Sequence, residues 1–174
     1  MTILTQVLNG LQLGSIYALV ALGYTMVYGI ILLLNFAHGD IIMVGAYISW
    51  IVMSQLGLNP VLAIVLSIVG CAGLGVLIDK VAYQPLREAP RMSLLITAIG
   101  VSYFLENGAQ LVFGADAKVV PEYFDLPSMS VGGVSLSANA IITIVVTAIS
   151  TIVLTILVQK TKLGKAMRAV SEDM

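Results

Sequence analysis

VLAIVLSIVGCAGLGVLI, residues 61–78, holds no charged side chain; its only polar interruptions are Ser67 and Cys71. At about 1.5 Å per residue an α-helix of this length approaches the ~30 Å hydrocarbon core of a bilayer. The surroundings extend the pattern. No charge occurs from Ile41 to Ile78, and none from Met1 to Ala37. Over all 174 residues, 59% are hydrophobic and 10% charged, with a mean hydropathy of +1.04. A soluble domain carries about 25% charged residues, so this chain lacks the means to build a water-facing surface. It reads as a polytopic, all-α membrane protein with about five transmembrane helices, forming a single transmembrane domain over 1–174.

Five apolar stretches carry this reading: 7–34, 41–55, 61–78, 92–113 and 137–158. The first is long enough either to cross once with a tilt or to break near Gly23 or Gly29. QLGLNP (55–60) is a turn in which Pro60 opens the next helix. DKVAYQPLREAPR (79–91) is expected to be a polar loop, and 114–136 a longer acidic, then Gly/Ser-rich one. The N-terminus lacks the basic segment of a signal peptide, so the first stretch is expected to be retained. Lys80, Arg87, Arg91 and the terminal Lys160, Lys162, Lys165 and Arg168 place 79–91 and 160–174 in the cytoplasm. Loop 114–136, with Asp116, Glu122 and Asp125 against Lys118, is then external.

A net charge of −1 suggests no nucleic-acid partner, and one cysteine and one histidine suggest no metal site. Ala63, Ser67, Cys71 and Gly75 recur every four residues, as do Gly10, Gly14 and Ala18. Small residues at that spacing let helices approach closely in lipid. Gly70, Gly73 and Gly75 follow no strand and precede no suitably spaced acid, so they are no dinucleotide fingerprint. Thr143, Thr147, Thr151 and Thr155 repeat at the same interval. Two readings are open: hydroxyls bonded back to the preceding turn, or a weakly polar face along a translocation path.

The polar break is NFAHGDIIMVGAY, residues 35–47, with Asn35, His38 and Asp40 between apolar runs. A backbone interruption at membrane depth is tolerated where protein or a watery path surrounds it. Asp40 suits an N-cap or first-turn acid of the 41–55 helix, and Asn35 suits the end of the preceding one. An ordinary capped turn and a broken helix at a substrate path both fit. Glu106 and Asn107 form a second candidate, since an acid inside a span faces protein or water. Pairing with a neighbouring helix, or an early helix end, are the alternatives there.

LLNFAHGDIIMVGAY (33–47) strongly resembles a signature of permease subunits of branched-chain amino acid importers of the ATP-binding-cassette class. VLNGLQLGSIYALVALGYTMVYGI (7–30) and the terminal TKLGKAMRAVSEDM (161–174) resemble the same family, so the likeness runs along essentially the whole chain. It implies a membrane-embedded gate worked by alternating access in the bacterial inner membrane. The partners implied are a second permease subunit, two cytoplasmic ATP-binding subunits and a periplasmic substrate-binding protein. It also implies a larger helical fold, of which this chain is an N-terminal part ending inside the cytoplasmic coupling loop. No phosphate-binding Gly-x-x-x-x-Gly-Lys-Ser/Thr occurs, so ATP is expected to be used by partner subunits and no cofactor bound by this chain. Lys162, Gly164, Lys165 and Arg168 are the coupling candidates; the three bases share a helix face at three-residue spacing. A headgroup anchor is the alternative for them. The substrate expected is leucine, isoleucine or valine, with urea, short-chain amides or another small solute as the alternative. Rival classes are a channel, a sugar-importer permease, a non-transporting structural subunit and a membrane enzyme. No ring of filter residues and no converging catalytic set supports the first or last.

Overall fold

The computed structural model describes residues 3–31, 35–120, 129–131, 134–136 and 138–172. Six α-helices dominate: α1 (Ile3–Ile31), α2 (His38–Trp50), α3 (Pro60–Ile78), α4 (Arg91–Phe113), α5 (Ala138–Lys160) and α6 (Lys162–Glu172). The fold is all-α and polytopic, as the composition requires. Within the expected 114–136 loop lies one small exception. Strands β1 (Met129–Val131) and β2 (Val134–Leu136) pair antiparallel, with Met129 opposite Leu136. Three residues per strand are too few to leave a period-2 signal in the sequence.

Contacts divide the chain into two units. The first holds α1, the hairpin, α5 and α6. α1 is one unbroken helix of 29 residues, passing through both Gly23 and Gly29. At about 1.5 Å per residue it exceeds the hydrocarbon thickness and is long enough to cross with a tilt. It packs on α5, where the Thr147 hydroxyl reaches the Ser15 carbonyl (3.4 Å) and both side chains are buried. The threonine series bonds back along its own helix. Thr147, Thr151 and Thr155 donate to the carbonyls of Thr143, Thr147 and Thr151 at 2.7–2.8 Å.

The second unit holds α2, α3 and α4. α2 runs on through a π-helical turn, Ile51–Gln55, into a tight reversal with Gly57 at φ +60°. Asn59 then caps α3, its Oδ1 accepting from the Val61 amide at 2.9 Å, with Pro60 in the first turn. α2 and α3 meet along the small-residue seam. The Ser67 hydroxyl lies 3.0 Å from the Gly45 carbonyl and 2.8 Å from Ser49 Oγ, while the Cys71 thiol donates to the Ile41 carbonyl at 3.3 Å. A Cβ on Gly45 would stand 2.8 Å from Cys71 Sγ, and one on Gly70 would strike the end of Ile48. Both glycines lie where α2 and α3 come close. Gly10, Gly14 and Gly75 have nothing within 4 Å of such a Cβ.

Segment 79–91 departs from the expected loop. α3 continues through a π-helical turn, Asp79–Tyr83, and a single 3₁₀ turn, Gln84–Leu86, before the chain breaks. The charges of Asp79 and Lys80 end the apolar run but not the helix. Pro85, which cannot donate a backbone hydrogen bond, changes its winding.

Burial is inverted relative to a soluble protein. The buried apolar residues are mainly alanines (Ala37, Ala63, Ala98, Ala109, Ala140, with Val52 and Ile78), while Phe104 is 76% and Leu111 87% exposed. Among the described residues, Gln6–Gly29, Pro60–Leu86 and Ala140–Lys160 are long and apolar enough to cross a bilayer by themselves. α2 is short even with its π-helical turn. α4 has the length but carries Ser93, Thr97, Ser102, Glu106, Asn107 and Gln110.

Candidate functional site

α1 is described as far as Ile31, and α2 starts at His38, three residues ahead of the expected helix. Between them Asn35 builds the break. Its carbonyl accepts from the His38 amide and its side-chain Oδ1 from the Ala37 amide, both at 3.1 Å. This is an Asx turn: a short polar side chain takes the place of a backbone acceptor and turns the chain. The N-cap position belongs to Ala37, which is fully buried and offers no side-chain acceptor. Asn35 thus opens α2; the end of the preceding stretch, its expected place of action, lies outside the described residues.

Asn35 Oδ1 takes a second bond, 2.9 Å from the Tyr83 hydroxyl. The π-helical end of α3 is thereby fastened to the break. Beyond it, Asp79 accepts from the Gln84 amide (3.4 Å) and faces Arg87 across 3.7 Å. That pair is exposed on both sides and contributes about 0–1 kcal/mol.

Asp40 sits in the first turn of α2, where the helix dipole favours an acid. It is 7% exposed, and its Oδ2 has no hydrogen-bond partner among the described residues. An unsatisfied polar atom in the interior costs about 1–3 kcal/mol, more when charged. Such an atom persists where another requirement holds it. His38, in the same turn, is half-buried. The structure therefore gathers Asn35, His38 and Asp40 into one capped turn and adds Tyr83. Sequence reasoning missed the tyrosine because it lies 48 residues away in a segment read as loop.

Glu106 and Asn107 lie together on α4, both exposed. The Asn107 amide donates to the Tyr103 carbonyl at 2.7 Å, a bond within its own helix. No cluster of three or more His, Cys, Asp or Glu side chains suited to a metal occurs among the described residues.

The coupling candidates lie on α6. Thr161 caps it: its Oγ1 accepts from the Gly164 amide at 3.2 Å, and its carbonyl from the Lys165 amide at 3.1 Å. Gly164 is buried against the end of α5, and a Cβ there would overlap the Val158 carbonyl. Only glycine permits this corner. Lys162 and Lys165 are exposed; the Arg168 side chain lies outside the described residues. Met167 turns inward, lining a cavity of about 280 Å³ with Leu22, Met26, Leu154 and Val158 of α1 and α5.

Apolar side chains turned outward, small residues at helix seams and a polar break between helices define a helical integral membrane protein. Comparison with known families adds the particular one. Residues 6–174 match the model of the branched-chain amino acid transport system / permease component family, and the chain belongs to it. It is 41% identical to the high-affinity branched-chain amino acid transport system permease protein BraD of Pseudomonas aeruginosa, over 98% of this chain and 60% of that protein. To the corresponding LivH of Escherichia coli K12 it is 38% identical, over 98% of this chain and 59% of LivH. The probable LivH of Methanocaldococcus jannaschii is 30% identical over 92% of this chain. The chain thus spans about three-fifths of the length of BraD. No solved structure matches it.

Proposed function

We propose that this chain forms part of the permease subunit of an ATP-binding-cassette importer that moves leucine, isoleucine and valine inward across the bacterial inner membrane. The observation that carries this reading is the match to the family over residues 6–174, with named branched-chain amino acid permeases at up to 41% identity. In this reading 1–174 is one multi-pass permease domain. It works with a second permease subunit, two cytoplasmic ATP-binding subunits and a periplasmic binding protein. The chain is a transporter and not an enzyme, holds no cofactor, and leaves ATP chemistry to its partners.

The turn of Asn35, His38 and Asp40 is the proposed element on the translocation path, with Glu106 and Asn107 as a second polar position. The buried Asp40 Oδ2, without a partner among the described residues, supports this, because a carboxylate oxygen left without a donor suits a passing polar group. Residues 79–91 and 160–172 face the cytoplasm. α6 docks on an ATP-binding subunit through Lys162, Gly164, Lys165 and Arg168. The placement of the lysines supports docking. Bases in the first turns of a helix oppose its dipole by about 0.3–1 kcal/mol each, so the helix's own stability does not explain them.

Uptake of radiolabelled leucine, valine and urea by the full-length protein in its intact complex tests the substrate. Branched-chain uptake is expected. Robust urea uptake with none of leucine or valine overturns the assignment. Co-purification of the ATP-binding subunit, abolished by removing 162–172, is expected for docking; retention after that deletion refutes it.

A further inference from the structure

At the far end of α2 from the break, three aromatic rings come together. Tyr47 stacks on Phe113 with ring centres 4.3 Å apart and planes 12° from parallel. Trp50 meets the same Phe113 edge-on at 6.4 Å. The chain leaves α4 through Gly114, at φ +81°, and brings Lys118 back so that its ammonium lies 5.6 Å over the Trp50 ring. Lys118 and Trp50, with Met43, Ala46, Tyr47 and Val120, line a cavity of about 210 Å³.

The chemistry of this lining is specific. Among the described residues it has one fixed positive charge and no acid; the other walls are aromatic, thioether or aliphatic. The ammonium lies over the indole face in a cation–π contact and has three N–H donors, more than that contact engages. No carboxylate pairs with Lys118 among the described residues. The cavity is smaller than the roughly 300–1,000 Å³ of drug-sized sites. The geometry points to a binding site for a small anion with a short, branched apolar tail, namely a branched-chain amino acid held by its carboxylate on Lys118 with its side chain against Tyr47, Met43 and Val120. The ligand's ammonium meets no acid among the described lining residues and stays towards water. With loop 114–136 external, the site is where substrate arrives from the binding protein, ahead of the Asn35–Asp40 turn. The assignment of leucine rests on the proposed permease reading; the preference for an acid with an apolar tail does not.

Trp50 is the only tryptophan of the chain, so it reports on its own site. The full-length protein in its complex, in nanodiscs of phosphatidylcholine, is titrated, and the Trp50 signal is taken as the difference from a Trp50→Phe complex. Leucine and 4-methylpentanoate, which lacks the ammonium, are expected to change the signal with midpoints within about threefold of each other, since only the carboxylate is held. 3-Methylbutylamine, which lacks the carboxylate, is expected to give no change. Lys118→Gln is expected to raise the leucine midpoint about tenfold or more, and Lys118→Arg to restore most of it. The amine matching the acid, or Lys118→Gln leaving the midpoint unchanged in a monodisperse complex, overturns the site. So does a response to added phosphatidylglycerol that leucine cannot displace, which assigns the pocket to a lipid headgroup. If the complex takes up leucine but Trp50 does not respond, the site falls and the permease reading stands. If 4-methylpentanoate binds with the stated dependence on Lys118 but no branched-chain amino acid is taken up, the site stands and the permease reading falls.

Discussion

Gly45 and Cys71 show how closely single atoms set the spacing of two helices. With Sγ only 2.8 Å from where a Gly45 Cβ would stand, Gly45→Ala overpacks the seam and is expected to destabilise by about 1–3 kcal/mol. Removing the sulfur makes room, so Gly45→Ala/Cys71→Ala is expected to recover much of that loss. A double-mutant cycle on thermal unfolding in detergent measures the coupling, and simple additivity refutes the contact. Asp40 calls for a different comparison. Asp40→Asn keeps the shape and removes the carboxylate with its unpartnered oxygen. Thermal stability is expected to hold or rise by about 1–2 kcal/mol, while leucine uptake falls tenfold or more (about 1.4 kcal/mol). Equal loss of stability and uptake shows Asp40 to be a structural cap. Tyr83→Phe removes one donor from Asn35 and is expected to cost about 0.5–1.5 kcal/mol in the same melts.

At the scale of elements, the corner between α5 and α6 depends on Gly164. A side chain there meets the Val158 backbone, which cannot yield as a flexible side chain would. Gly164→Ala is expected to displace α6 and to abolish co-purification of the ATP-binding subunit, while Thr161→Ala, which loses only a cap worth about 1 kcal/mol, is expected to leave it measurable. Equal recovery of the partner by wild type and Gly164→Ala refutes this account. The elements also show what sequence can convey. The apolar runs fix the helices to within a few residues, because length, charge and the Asn-Pro signal at 59–60 act locally. The extension of α3 through 79–86 stayed hidden because charge and proline, read locally, mark a loop. Asn35, His38 and Asp40 stood out as polar residues in an oily run. Their tie to Tyr83, like the return of Lys118 to Trp50, arises only when distant segments meet.

Across the whole molecule, the location of alanine and leucine is the ruling fact. Membrane fractions washed at alkaline pH are expected to retain the full-length protein, and reporter tags in 79–91 and after Lys160 are expected on the cytoplasmic side; external labelling of either overturns the proposed topology. The inverted burial also has a consequence for how the protein tolerates change. In a water-soluble domain, exhaustive substitution spares alanine and punishes leucine. Here outward-facing positions such as Leu111, Phe104 and Val69 will accept almost any oily replacement, whereas Ala37, Ala63 and Ala98 will accept nothing bulkier than themselves. The permissive and the forbidding residues of this protein will have traded places.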